Sequence, residues 1–146
     1  MKNLHRSTLA ALCFCLGSAF AADITLDAAA KEPGATVTAS GLVYQSLKDG
    51  TGDSPRASDR VKVNYRGMFP DGREFDSSYK RSQATEFPLN GVIPCWTEGV
   101  QRMKVGGKAK LTCPAKIAYG ERGAGGVIPP NATLVFEVEL LGINGK

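Results

Sequence analysis

Apolar and polar residues alternate through much of the second half of the chain. In Val61-Lys62-Val63-Asn64-Tyr65 the apolar residues fall on one side, so Val61, Val63 and Tyr65 share a strand face. Lys108 to Cys113 repeats the pattern, with Ala109, Leu111 and Cys113 on one face and Lys108 and Lys110 on the other. Thr133 to Leu140 is the clearest case: Leu134, Phe136, Val138 and Leu140 face a core, while Glu137 and Glu139 face water. Leu42 to Leu47 predicts a shorter or edge strand. "FPDGREF" (69–75) predicts a hairpin turn, with Pro70, Asp71 and Gly72 supplying the turn chemistry.

One segment has helical spacing. Pro94 suits a first helical position, where its missing N–H costs nothing. Trp96, Val100 and Met103 recur at i, i+4, i+7 and form one apolar stripe. Gly106 stands where a glycine just past the helix end is expected. These elements predict an α+β domain: an antiparallel sheet with one short helix packed on it.

Two terminal segments stand apart. Residues 1–21 combine Lys2 and Arg6 with the apolar, small-residue run "STLAALCFCLGSAF" and a small-x-small site at Ala19-Phe20-Ala21. That is the pattern of a secretory signal peptide, too short for a comfortable membrane span. Residues 22–40, "ADITLDAAAKEPGATVTAS", are small, polar and aperiodic, and read as a flexible arm. The domain is expected over 41–146, which is long enough for one core.

Cleavage of the leader changes the chemistry available. It removes two of the 18 basic residues and none of the 14 acidic ones, so the net charge falls from +4 to +2. A charge that mild gives no reason to expect nucleic acid as a partner. The single histidine, His5, also leaves, which excludes Ser-His-Asp and Cys-His mechanisms and the usual His-containing catalytic zinc site. No cofactor or metal is expected, nor stable membrane insertion once the leader is gone. Cys95 and Cys113 remain. Without a Cys-x-x-Cys motif they do not make a thiol-redox protein. Cys95, at the second helical position, could carry an activated thiol; a disulfide to Cys113 is favoured in an oxidising compartment.

Four blocks, "VKVNYRGMFPDGREFDSSY" (61–79), "FPLNGVIPCWTEGVQRMKVGGK" (87–108), "IAYGERG" (117–123) and "VIPPNATLVFEVELL" (127–141), resemble the FKBP-type peptidyl-prolyl cis-trans isomerases. The resemblance is greatest to the exported bacterial branch that includes the macrophage infectivity potentiators. It implies a curved antiparallel sheet wrapped around one short helix. It also implies isomerisation of X-Pro bonds in exported proteins, with proline-containing polypeptides as partners. Macrolides such as tacrolimus and rapamycin are implied as further ligands. Export across the inner membrane to the periplasm is expected, and the short arm leads us to expect a monomer.

The resemblance assigns residues as well. Tyr65, Phe75, Val92, Ile93, Trp96 and Phe136 match pocket-lining positions, with Trp96 at the floor and the Ile93 N–H as a donor. Tyr119 matches a hydroxyl donor, Asp76 the pocket carboxylate, and Arg81 a rim residue resembling its partner. Val127 and Ile128 fall on a loop over the site, and "GERGAGG" (120–126) on a mobile flap. Taken singly, Tyr65, Phe75, Trp96 and Phe136 read as core aromatics, and Asp76 as a turn-capping aspartate. Phe75 and Asp76 are adjacent and would point to opposite sides of a regular strand. For both to reach one pocket, the strand must end or bulge there. Departures from the family pattern lie at Cys95, commonly glycine, at Thr85, and in Ala124-Gly125-Gly126; they bear on sequence preference and macrolide affinity. The runner-up reading is a binding module or chaperone that uses the same pocket without catalysis.

Overall fold

The structure, a computed structural model, describes residues 25–146; the leader expected over residues 1–21 lies outside the described residues. Seven strands form one antiparallel sheet: β1 (Ala35–Val37), β2 (Val43–Lys48), β3 (Arg60–Met68), β4 (Glu74–Ser77), β5 (Thr85–Pro88), β6 (Lys108–Cys113) and β7 (Leu134–Ile143). The spatial order is β1-β2-β6-β7-β3-β4, and β5 also pairs with β3. The α+β class expected from the hydrophobic pattern is the observed one. No helix among the described residues is long and apolar enough to cross a membrane.

The helix Pro94–Gln101 begins as its sequence predicts, with Pro94 at the first turn and Ile93 as the extended N-cap. It buries Cys95, Trp96, Gly99 and Val100 against the sheet. At Gly99 the approach is tight: a Cβ there would stand 2.8 Å from Leu111 Cδ2. A disulfide joins Cys95 to Cys113 on β6, with Cα atoms 6.0 Å apart and both residues fully buried. The helix ends earlier than the glycine signal predicts. Arg102 closes it in right-handed conformation, its N–H on the carbonyls of Gly99 and Val100. Gly106 (φ 94°) instead turns the chain into β6, where the Gly107 N–H meets the Lys104 carbonyl at 2.9 Å.

The core lies between helix and sheet. Val61 and Val63 of β3, Leu111 of β6, and Leu134, Val138 and Leu140 of β7 are all essentially inaccessible. On β7 the alternation holds until a bulge: Val63 pairs with Leu140 but Lys62 with Gly142, so Leu141 is the extra residue and turns outward.

The N-terminal reading needs correction. Residues 22–40 are not flexible throughout, because 25–30 are helical and Ala35–Val37 pair with β2 through Ala35–Gln45, Thr36–Tyr44 and Val37–Val43. Glu32 forms an ion pair with Lys110 at 2.9 Å, and the Gln45 amide donates to the Pro33 carbonyl. Strand β2 is therefore covered on both sides, by β1 and β6, and is not an edge. Three paired residues are too few to show periodicity; backbone pairing supplies the order there.

Candidate functional site

The site is built around Trp96. As the third residue of the helix its indole lies where three strand-borne rings converge, all nearly edge-on to it. Tyr65 stands 5.1 Å away at 83°, Phe136 5.5 Å at 90° and Phe87 5.6 Å at 89° between ring planes. Edge-to-face packing suits the ring quadrupoles. Trp96 Nε1 is buried with no partner among the described residues, so the indole serves through its faces and edges. Above it opens a cavity of about 490 Å³, lined by Tyr65, Phe75, Asp76, Phe87, Gly91, Val92, Ile93, Trp96, Tyr119 and Phe136.

Phe75 and Asp76 both reach this cavity because the strand bulges. Gly67 pairs with Asp76 and Met68 with Glu74, which leaves Phe75 as the unpaired extra residue. Phe75 then packs edge-on to Phe136 at 5.8 Å. Gly67 makes that contact possible, since a Cβ there would lie 2.6 Å from Phe75 Cζ and 3.0 Å from Phe136 Cε1.

Tyr65 is held by backbone and side chain. Strands β4 and β5 flank different halves of β3 and leave a gap between them. Ser78, fully buried, fills it: its hydroxyl accepts from the Tyr65 N–H at 2.9 Å and donates to Asn64 Oδ1 at 2.8 Å, while its own N–H donates to the Tyr65 carbonyl. The Tyr65 hydroxyl donates to Asp76 Oδ2 at 2.5 Å. Arg81 donates to Asp76 Oδ1 at 2.6 Å and to the Tyr65 oxygen at 3.0 Å, closing a three-membered ring of side chains. The Ser77 N–H adds a further donor to Asp76. Burial alone would raise the Asp76 carboxyl. The hydrogen bonds from Tyr65 and Arg81 and the Arg81 charge outweigh it and hold Asp76 below the usual aspartate value. Burial, then the bond to Asp76, pushes the Tyr65 phenol up. Asp76 is thus an anion saturated with donors, and Arg81 reaches the cavity through it.

Two donors besides the Trp96 indole remain uncommitted. The Ile93 N–H precedes the first helical turn and has no acceptor among the described residues. The hydroxyl of Tyr119, a residue 39% exposed, also makes no hydrogen bond among them. Burial, then the Asp76 charge, pushes the Tyr119 phenol up and keeps it a neutral donor.

Three expected residues do not line the cavity: Arg81, which meets it only through Asp76 and Tyr65, and Val127 and Ile128. Val127 points to solvent and Ile128 is buried in the core. The loop carrying them is tied down by Ala124 N–H to Ile128 O at 2.9 Å and Ile128 N–H to Ala124 O at 3.0 Å, which turns Ile128 inward. Phe87 and Gly91 line the cavity unforeseen. Phe87 heads one of the family-like blocks, but β5 is four residues long, too short for its alternation to be read.

The sequence matches the family model for FKBP-type peptidyl-prolyl cis-trans isomerases over residues 52–141. The chain belongs to that family. FkpA from Aeromonas hydrophila is 58% identical over 118 residues, 81% of this chain and 44% of that protein. The crystal structure of FkpA from Escherichia coli has a TM-score of 0.84 at 48% identity, covering 86% of this chain and 59% of that one. A peptidyl-prolyl cis-trans isomerase structure from Pseudomonas syringae has a TM-score of 0.80 at 39% identity, covering 86% of this chain and 92% of that one. The chain therefore spans less than half the length of the Aeromonas relative, and nearly all of the Pseudomonas chain.

Proposed function

We propose that this protein accelerates cis-trans isomerisation of X-Pro bonds in polypeptides, with the proline ring seated over Trp96. One observation carries the reading: an aromatic-lined cavity flanked by two unspent donors, Ile93 N–H and Tyr119 hydroxyl, in a chain of this family. The barrier to X-Pro rotation is the loss of C–N resonance, roughly 18–20 kcal/mol, so spontaneous exchange takes tens of seconds or more. In the twisted state the amide loses resonance and its carbonyl becomes less polar. An apolar cavity favours that state over the planar amide, without nucleophile or proton transfer. The Ile93 N–H and Tyr119 hydroxyl hold the chain beside the proline, so that rotation occurs about one bond. Asp76 is a positioning residue: it fixes Tyr65 and Arg81.

Proline-containing polypeptides are the proposed substrates, and macrolides such as tacrolimus and rapamycin are proposed to occupy the same cavity. The leader-like residues 1–21 support export to the periplasm, where the protein is proposed to act as a monomer.

The test is an isomerisation assay on a proline tetrapeptide, with Tyr119→Phe alongside. Wild type should exceed the spontaneous rate. Tyr119→Phe should lower kcat/KM about tenfold, the equivalent of one hydrogen bond, with an unchanged unfolding midpoint. No acceleration by folded wild-type protein, checked by circular dichroism, would leave a binding module.

A further inference from the structure

Val92 stands at the edge of the cavity over Trp96. On the other side of that residue lies a second cavity of about 690 Å³, between the outer face of the helix and the turn after β6. Val92 lines both. The same two chain segments wall both: the 90–97 stretch contributes Gly91, Ile93 and Trp96 to the first and Asn90, Pro94 and Thr97 to the second, and the turn after β6 contributes Tyr119 to the first and Ile117 to the second. The two thus adjoin across Val92.

The lining of this groove divides into spent and unspent groups. Thr97 Oγ1 donates to the Leu89 carbonyl at 2.7 Å, and the Ser40 hydroxyl donates to Glu98 Oε1 at 2.5 Å, with Arg102 3.9 Å from the same carboxylate. Charge on the rim is therefore compensated. Val92, Pro94 and Ile117 make an apolar floor. The Asn90 amide makes no hydrogen bond among the described residues, and Gln101 commits only its Nε2, to the Thr97 carbonyl at 2.8 Å, leaving its Oε1 as an acceptor. An aliphatic floor beneath unspent amide groups fits an extended peptide, whose backbone needs donors and acceptors and whose alternate side chains point one way.

We infer that this groove binds the residues flanking the X-Pro bond in the same polypeptide, with an aliphatic side chain on Val92, Pro94 and Ile117 and the backbone on Asn90 and Gln101. The inference rests on reading the first cavity as the proline site. It makes the protein a reader of extended chain, with its preference at alternate positions.

The experiment compares a proline tetrapeptide with the same peptide lengthened by four residues, two of them leucine at alternate positions, at either its amino or its carboxyl end. Both kcat/KM for isomerisation and Kd by NMR titration are measured. One of the two extensions should improve both values about tenfold, the equivalent of burying one aliphatic side chain. Gln101→Trp, at an exposed position, should fill the groove and abolish that gain while leaving the tetrapeptide values unchanged; Ser40→Trp should do the same from the opposite wall. Equal values for short and long peptides would overturn the inference, as would a gain that survives both substitutions. Absence of isomerisation on every peptide would instead remove the catalytic reading, and the Kd pattern would still decide whether the groove is used.

Discussion

Two aspartate–arginine pairs lie within eleven residues of chain, each beside an aromatic ring, and they differ in what else they touch. Asp71 and Arg73 meet at 2.8 Å, with the Arg73 guanidinium 4.9 Å from the Phe69 ring centre. Asp76 and Arg81 meet at 2.6 Å, with the guanidinium 5.8 Å from the Tyr65 ring centre. The outer pair closes its own turn: Asp71 Oδ1 accepts the Arg73 N–H, and everything it touches is within a few residues. Its side chains are 56% and 74% exposed, where an ion pair is worth little. The inner pair takes its third member, Tyr65, from eleven residues away and sits against the aromatic wall of a cavity. The same side-chain chemistry is a turn device in one place and part of a site in the other. The surroundings decide which.

The contrast can be broken from the largest effect down. Trp96→Ala removes the ring that Tyr65, Phe87 and Phe136 pack against, and should cost about 3–5 kcal/mol. It should erase the inner pair's special setting, seen as a fall in the urea midpoint together with loss of proline-peptide binding. Ser78→Ala leaves the buried Tyr65 N–H without its acceptor and should cost about 1–3 kcal/mol. If its unfolding midpoint matched wild type, the gap between β4 and β5 would not be what fixes Tyr65.

Asp76→Ala should cost about 1 kcal/mol, after allowing for its partial exposure, and should slow isomerisation. Asp71→Ala should leave both midpoint and rate at wild-type values. Equal effects from the two would mean that the cavity adds nothing to the inner pair.

Acid gives the smallest and most specific handle. The Asp76 carboxyl is held below its unfolded value of about 3.9. The unfolded state therefore binds the proton first, and stability rises with pH across that range. The contribution from Asp76 is fully present above about pH 4 and fades as pH falls through the folded-state pKa. Asp76→Asn should unfold more easily than wild type at pH 7, and the two urea midpoints should draw together as the pH falls below the unfolded aspartate value of about 3.9 and through the lower folded-state pKa. A difference of constant size from pH 7 to pH 2 would show that the carboxylate charge is not what stabilises the inner cluster.

Much of this molecule was legible in local pattern. Alternation identified β3, β6 and β7, because one face of each is buried and the other is not. Pro94 marked the start of the helix, and the 69–75 turn declared itself by its residue types. The adjacency of Phe75 and Asp76 even required a bulge, which is where the bulge lies. Other features carry no local signature. Strand β1 is three residues long and exists through its pairing with β2. Gly67 is a space for two rings that come from different strands, and Ser78 is a plug between two others. Val127 and Ile128 matched family positions, yet the hydrogen bonds of their own loop send one to solvent and the other to the core.

By itself, then, the sequence determined which of the longer segments would be strand, turn or helix, and which face of each would be apolar, since those depend on the order of residue types along the chain. Only the tertiary structure decided which aromatic rings surround Trp96, which aspartate faces a cavity, and which donors stay unspent. Those depend on groups far apart in sequence arriving within a few ångströms of one another, and residue order alone does not encode that arrival position by position.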